Sequence, residues 1–192
     1  MKKIVVIIGH SDTQSYCHAL AQAYIRGAEG SGASVRILDL AAMDFSPILQ
    51  YGYRKRTELE PDLVAAREVI LWADHLVWIY PTWWGTMPAI MKGFIDRVFL
   101  PGFAFTSAPD TLIAKKLLVG KTARLLVTMD SPSWYYRLVL KRAGHTIMKR
   151  GILKFSGINP VRITEVNTVK LLSTEKRKRW LDQAEAMGAK HA

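Results

Sequence analysis

Short, almost uninterrupted runs of β-branched and aliphatic residues recur along this chain, with amphipathic stretches of helical length between them. The runs are KIVVIIG from Lys3, SVRILDL from Ser34, HLVWIYP from His75, TARLLVTM from Thr122 and PVRITEV from Pro160. Segments such as VVII and LLV show no polar alternation, so each strand must be buried on both faces, as in a parallel sheet covered by helices on each side. The intervening stretches predict helices at residues 15–30, 61–73, 88–99, 134–149 and 174–187. Strands alternating with helices in this way imply an α/β, doubly wound architecture. With 192 residues, 49% of them hydrophobic, the chain is long enough for one well-buried domain, residues 1–192, and short for two.

Several function classes drop out early. The opening MKKIVVIIGHSD has a basic front, but its apolar run is about half a secretory core region and is followed by no small-residue cleavage site, so it reads as the first strand. No apolar run approaches the ~20 residues needed to cross a bilayer, and a single cysteine, Cys17, cannot form an internal disulfide. A cytoplasmic protein without membrane insertion is expected. The formal net charge of +11 favours anionic partners, nucleotide phosphates among them. Zinc-ligand spacing, RNP-type sequence and a helix-turn-helix pattern are all missing, so specific nucleic-acid binding is not expected, and TEKRKRW at residues 174–180 reads as a solvated helix face. Neither GxGxxG nor GxxxxGK[ST] occurs, which argues against a Rossmann dinucleotide domain and a P-loop nucleotidase.

Doubly wound sheets bind ligands beyond the carboxyl ends of their strands, so the loops after the first, third and fourth strands carry the functional information. GHSDTQSY offers hydroxyls at Ser11, Thr13, Ser15 and Tyr16 just ahead of a helix whose unpaired N–H groups favour an anion; the equal alternative is that Ser11 or Ser15 simply caps that helix. PTWWGT places two tryptophans beside backbone amides, a wall suited to a flat, partly polar ring, although the same residues also suit a loop or subunit contact. MDSPSWYY supplies backbone amides near Asp130 and Ser131 and further aromatic surface. No Gly-x-Ser-x-Gly elbow and no metal-ligand or triad spacing is present, so chemistry carried by a bound cofactor is expected, with no metal.

Four segments together resemble the flavodoxin-like NAD(P)H:quinone oxidoreductases, the DT-diaphorase-type enzymes and their shorter bacterial relatives. They are the His-Ser loop GHSDTQSY, DLAAMDFSPIL at residues 39–49, YPTWWGTMPAIMKGFIDRVFLPGFAF at residues 80–105 and GILKFSGI at residues 151–158. The third is the most specific. The resemblance implies a flavodoxin-like five-stranded parallel sheet in the order 2-1-3-4-5. It also implies a bound flavin, hydride transfer from NADH or NADPH, ping-pong passage of two electrons to a quinone-like acceptor, and a homodimer with shared sites.

Carried over by position, the resemblance puts His10, Gln14, Ser15, Tyr16 and Cys17 on the flavin's phosphate side. Pro81, Thr82, Trp83, Trp84 and Gly85 would lie along its ring, with Thr128, Met129, Asp130 and Ser131 in the third flavin loop. Cys17 and Gln14 depart from the residues common in the family at these places, Asn and a hydroxyl residue, and MDSP replaces a glycine-rich turn. The family's Tyr and His that assist hydride transfer are represented by Tyr135 and Tyr136 as candidate catalytic residues, while His145 falls too far along the predicted helix. A long C-terminal extension of the kind that holds the adenine half of FAD is lacking, so FMN is expected, with FAD as the alternative. The loops at 50–60 and 106–116 would shape the acceptor site. Two other readings follow from the same likeness: an electron carrier or a regulatory subunit of a membrane transport system, and an azo or nitro reductase.

Overall fold

The computed structural model describes residues 1–106 and 114–191. Five strands form its sheet: β1 (Lys3–Ile8), β2 (Ser34–Asp39), β3 (His75–Pro81), β4 (Thr122–Thr128) and β5 (Val161–Val166). They run parallel in the order β2-β1-β3-β4-β5, as the sequence predicts. The unbroken apolar run in β1 divides as a parallel strand should. Val5 and Ile7 enter the core on one face with Leu63, Trp78 and Phe94, and Ile4, Val6 and Ile8 enter the other with Leu20, Tyr24 and Ile25.

Helices α1 (Tyr16–Gly30), α2 (Pro61–Trp72) and α3 (Ala89–Val98) follow the first three strands, each within two residues of its expected bounds. The final helix, Thr174–Ala189, crosses α1 so closely that a side chain at Gly27 would strike the Glu185 carbonyl and one at Gly188 the Tyr24 carbonyl. Glycine at both positions permits that approach. On the other face α3 is tied to the segment after β2 by the buried Arg97. Its guanidinium donates to the Glu60 carboxylate at 2.6 Å, to Ser46 O at 2.6 Å and to Glu58 O at 2.9 Å.

The fourth helix departs from expectation. Instead of one helix over residues 134–149, α4 (Ser133–Leu138) ends early, and Lys141 and Arg142 turn the chain at φ 48° and 51°. Helix α5 (Ala143–Thr146) then runs into a π-helical segment, Ile147–Lys154. Left-handed backbone at two successive non-glycine residues costs energy and has no proline or glycine to announce it, which is why helical periodicity alone misses the break. A two-residue antiparallel pairing of Phe105–Thr106 with Lys115–Lys116 also goes unforeseen; residues 107–113 of that expected acceptor loop lie outside the described residues.

Candidate functional site

Parallel register brings the loops after β1, β3 and β4 to one edge of the sheet, and hydrogen bonds from Gly9 N to Ile79 O (2.9 Å) and Thr82 N to Thr128 O (2.7 Å) bind them together. His10 of the first loop meets Trp83 of the second edge to face, ring centroids 5.2 Å apart. Burial holds the His10 imidazole below its ordinary pKa, with Asp12 opposing.

The first loop closes on itself before α1 begins. Asp12 accepts from Gln14 N at 2.9 Å and donates its own N–H to His10 Nδ1 at 2.9 Å. Ser15 caps α1, accepting from His18 N at 3.4 Å. The N–H groups of the first helical residues, starting with Tyr16 and Cys17, have no intrahelical partner, so an anion at this end would be held by N–H donors and the helix dipole. Tyr16 donates from its hydroxyl to Arg177 O at 2.8 Å and lies beneath the Arg177 guanidinium, which adds a cation to this corner. Cys17 points the other way, into the core. Its Sγ is 3.3 Å from Thr128 Oγ1, and burial pushes the thiol up to about 11, so it remains a protonated packing group near neutral pH.

The second loop is a two-residue turn. Trp83 and Thr86 exchange backbone hydrogen bonds of 2.8 and 3.0 Å around Trp84 at φ 49° and Gly85 at φ 79°. Positive φ at both central residues is the type I′ pattern, in which Asn-Gly is the usual pair. A tryptophan in that conformation is strained by about 1–3 kcal/mol. Its side chain is fully exposed, at 104% of the reference area, and Trp83 is 42% exposed. The turn is buttressed from below. Tyr136 donates to Gly85 O at 3.3 Å, and Gly144 of α5 lies so close to Gly85 and Thr86 that no Cβ fits between them.

The third loop divides its residues between support and exposure. Thr128 and Met129 are buried, and Met129 bonds through N to Val166 O and through O to Val169 N. The Asp130 carboxylate accepts from Lys170 N at 2.9 Å, fixing the loop to the turn beyond β5. Ser131 is partly open to solvent, Tyr135 is 39% exposed against Trp134, and Tyr136 is buried at 1%. Burial holds the Tyr136 phenol above its ordinary pKa. The geometry thus gives Tyr136 a bracing position and leaves Tyr135 as the accessible phenol.

Sequence reasoning missed four supporting residues. His18 joins Ser15 to Asp39, with Ser15 Oγ 3.0 Å from Nδ1 and Asp39 Oδ2 3.0 Å from Nε2. The i, i+3 spacing of Ser15 and His18 after a strand was the available signal. Arg177 and Gly144 left none, because each acts across more than a hundred residues or through a break that periodicity conceals. Among the described residues no group of three or more His, Cys, Asp or Glu could hold a metal ion.

Comparison with known proteins matches residues 2–190 to a family described as having the flavodoxin-like fold. An uncharacterized NAD(P)H oxidoreductase of Haemophilus influenzae is 26% identical over 189 residues, covering 96% of this chain and 92% of that protein. NAD(P)H dehydrogenase [quinone] 1 of Cavia porcellus is 30% identical over 158 residues, covering 72% of this chain but only 57% of that longer protein. Among solved structures, Smu.1420 of Streptococcus mutans superposes with a TM-score of 0.84 at 31% identity, covering 99% of this chain and 100% of the other.

Proposed function

This chain belongs to the flavodoxin-like fold family, and from that premise we propose that it is a flavin-dependent NAD(P)H:quinone oxidoreductase, with FMN as its cofactor. The observation that carries the reading is the Trp84–Gly85 turn. A fully exposed tryptophan in strained left-handed backbone stands in a turn braced by Tyr136 and Gly144, next to Trp83, which packs on His10 of the first loop; this is a costly arrangement unless a ring packs on it. The names of the relatives from Haemophilus influenzae and Cavia porcellus support both the donor and the acceptor class.

The residues present fit the group. Ser15, the first N–H groups of α1 and the nearby Arg177 would hold a phosphate. Trp83 and Trp84 would lie along the ring system, and Ser131 and the Asp130 backbone would border it from the third loop. When bound, the flavin supplies the redox chemistry, taking a hydride equivalent from NAD(P)H and giving two electrons to the acceptor. The chain's own work is positional. The braced turn fixes the aromatic wall, the tie between Asp130 and Lys170 fixes the opposite loop, and a single open face would be used by donor and acceptor in turn, giving ping-pong kinetics. Tyr135, with its accessible hydroxyl, is the candidate to pass a proton to the acceptor. Exposed Trp134, Leu138, Val139, Ile147 and Phe155 suit a second copy of the chain, and a homodimer is part of this proposal. No helix among the described residues is long and apolar enough to cross a membrane, and a cytoplasmic location completes it.

The test is the visible spectrum of the purified protein after incubation with FMN and removal of free ligand. Retained yellow colour that bleaches anaerobically on adding NADPH, followed by turnover with a soluble quinone, is the expected result. Failure to retain either FMN or FAD in a folded sample would overturn the proposal.

A further inference from the structure

A cavity of about 750 Å³ lies along the outer edge of the sheet, where β5 pairs with β4 on one side only. Its wall carries Arg124, Arg142, Lys149 and Arg162, against a single carboxylate, Glu165. Glu165 is already engaged, 3.0 Å from Arg142 Nε. Arg124 stands directly opposite Arg162 in the β4–β5 register, a like-charge pairing that normally costs stability. Arg124 donates to Thr164 Oγ1 at 2.6 Å, which fixes its position.

His145 sharpens the chemistry. It is 97% buried, lines this cavity, and neither ring nitrogen has a hydrogen-bond partner among the described residues; a Glu165 carboxylate oxygen lies 3.9 Å from Nε2. Burial keeps the imidazole below its ordinary pKa, so near neutral pH it offers one N–H and one lone pair. Asn167 Oδ1, on the same wall, is likewise buried without a partner among the described residues. Leaving such groups unmatched costs roughly 1–3 kcal/mol each. Charge along a strand edge does guard against pairing with other chains, and Arg162 serves that end. Edge protection needs neither a cavity nor a buried histidine.

We propose that this cavity binds the phosphate groups of a nucleotide-sized anion, held by Arg142, Lys149 and Arg162, with His145 bonding a neutral part of the ligand. The cavity borders the candidate flavin loops: the His145 ring contacts Tyr136, 4.8 Å between centroids, and Tyr136 holds Gly85. The phosphates of a nicotinamide donor and those of a separate phosphorylated metabolite both have the required chemistry. The site does not depend on the flavin reading, and its test stands with or without bound flavin.

The experiment is calorimetric titration of the purified full chain with adenosine 2′,5′-bisphosphate and with inorganic pyrophosphate. One saturable site is expected. The double variant Lys149→Gln, Arg162→Gln, both at accessible side chains, should weaken it by at least about tenfold, since a hydrogen bond to a charged group is worth about 1.5–3 kcal/mol. His145→Phe, which keeps the aromatic packing, should weaken the adenosine compound more than pyrophosphate. Lys176→Gln with Lys178→Gln, on the last helix, should leave both affinities within about twofold. Absence of saturable binding, or equal weakening by the control pair, would overturn the proposal. Competition then separates the sources. A bisphosphate that raises the KM for NADPH without lowering kcat identifies the donor's phosphates, and one that binds without changing either constant identifies a separate metabolite.

Discussion

Replacing Gly144 with alanine tests whether the tryptophan turn is held in place for ligand binding. The added methyl group would lie 2.6 Å from Gly85 O, 2.8 Å from Tyr136 Oη and 3.0 Å from Thr86 Cα. Ordinary contact begins near 3.4 Å, so α5 and the turn must separate by roughly 0.8 Å. Two of the three obstructing atoms belong to backbone, so no rotamer change relieves the clash. Overpacking of this kind costs about 1–3 kcal/mol, and stretching the Tyr136 to Gly85 bond beyond hydrogen-bonding distance adds about 1 kcal/mol. In a domain of this length each kcal/mol lowers Tm by about 2–4 °C, so a fall of about 4–16 °C is expected. The same displacement moves Trp84, and FMN affinity, followed by quenching of flavin fluorescence, should weaken by about tenfold or more. Tyr136→Phe, which removes the bond without adding bulk, should give a smaller change in the same direction. If Gly144→Ala lowers Tm as expected yet binds FMN with unchanged affinity, the turn does not form the flavin wall and the reasoning fails.

Three further outcomes follow from individual residues. Trp84→Gly keeps the turn and removes its strain, so stability should rise by about 1 kcal/mol in chemical denaturation while FMN affinity falls by more than about tenfold; a loss of both would mean that the side chain serves packing alone. Ser15→Ala removes a helix cap worth about 1 kcal/mol and should weaken FMN far more than riboflavin, which lacks the phosphate; equal weakening in paired titrations would move the phosphate elsewhere. His75 is buried, with a pKa depressed to about 4 mainly by desolvation, against 6.5 when unfolded. The unfolded chain therefore binds the extra proton first as pH falls. Stability from this residue is intact above about pH 6.5 and declines toward pH 4, by about 3 kcal/mol in all. Urea midpoints across that range should flatten in His75→Gln, and an unchanged slope would refute the assignment.

The sheet was legible because burial on both faces leaves a continuous apolar signature, and parallel strands need helices to cross between them. The three loops were legible for a related reason: the doubly wound topology puts them at one edge whatever their sequences are. What escaped the sequence was contact across distance. Cys17 is placed on the candidate phosphate side by the resemblance, yet its position in the first turn of α1 sends its side chain inward to Thr128. Asp39 reads as the end of a strand, and only the fold brings it to His18.

Tyr136 and His145 show the limit most clearly. On one straight helix, nine residues span about 13.5 Å and turn through about 900°, which places the two side chains on opposite faces. That geometry is why His145 is set aside when the segment is read as helical from 134 to 149. The left-handed residues Lys141 and Arg142 undo it, folding α5 back so that the two rings meet at 4.8 Å. The same break presses Gly144 onto the tryptophan turn and turns Arg142 toward Glu165 at the cavity edge. One unheralded pair of backbone angles therefore joins the candidate flavin wall to the basic cavity, and a substitution that straightens the chain there should disturb both sites together. Replacing both residues with glycine, which favours the positive φ they adopt, should preserve FMN affinity, although the loss of Arg142 would still weaken pyrophosphate binding. A drop in FMN affinity comparable to that of Gly144→Ala would show that the cationic side chains, and not the backbone break, support the flavin wall.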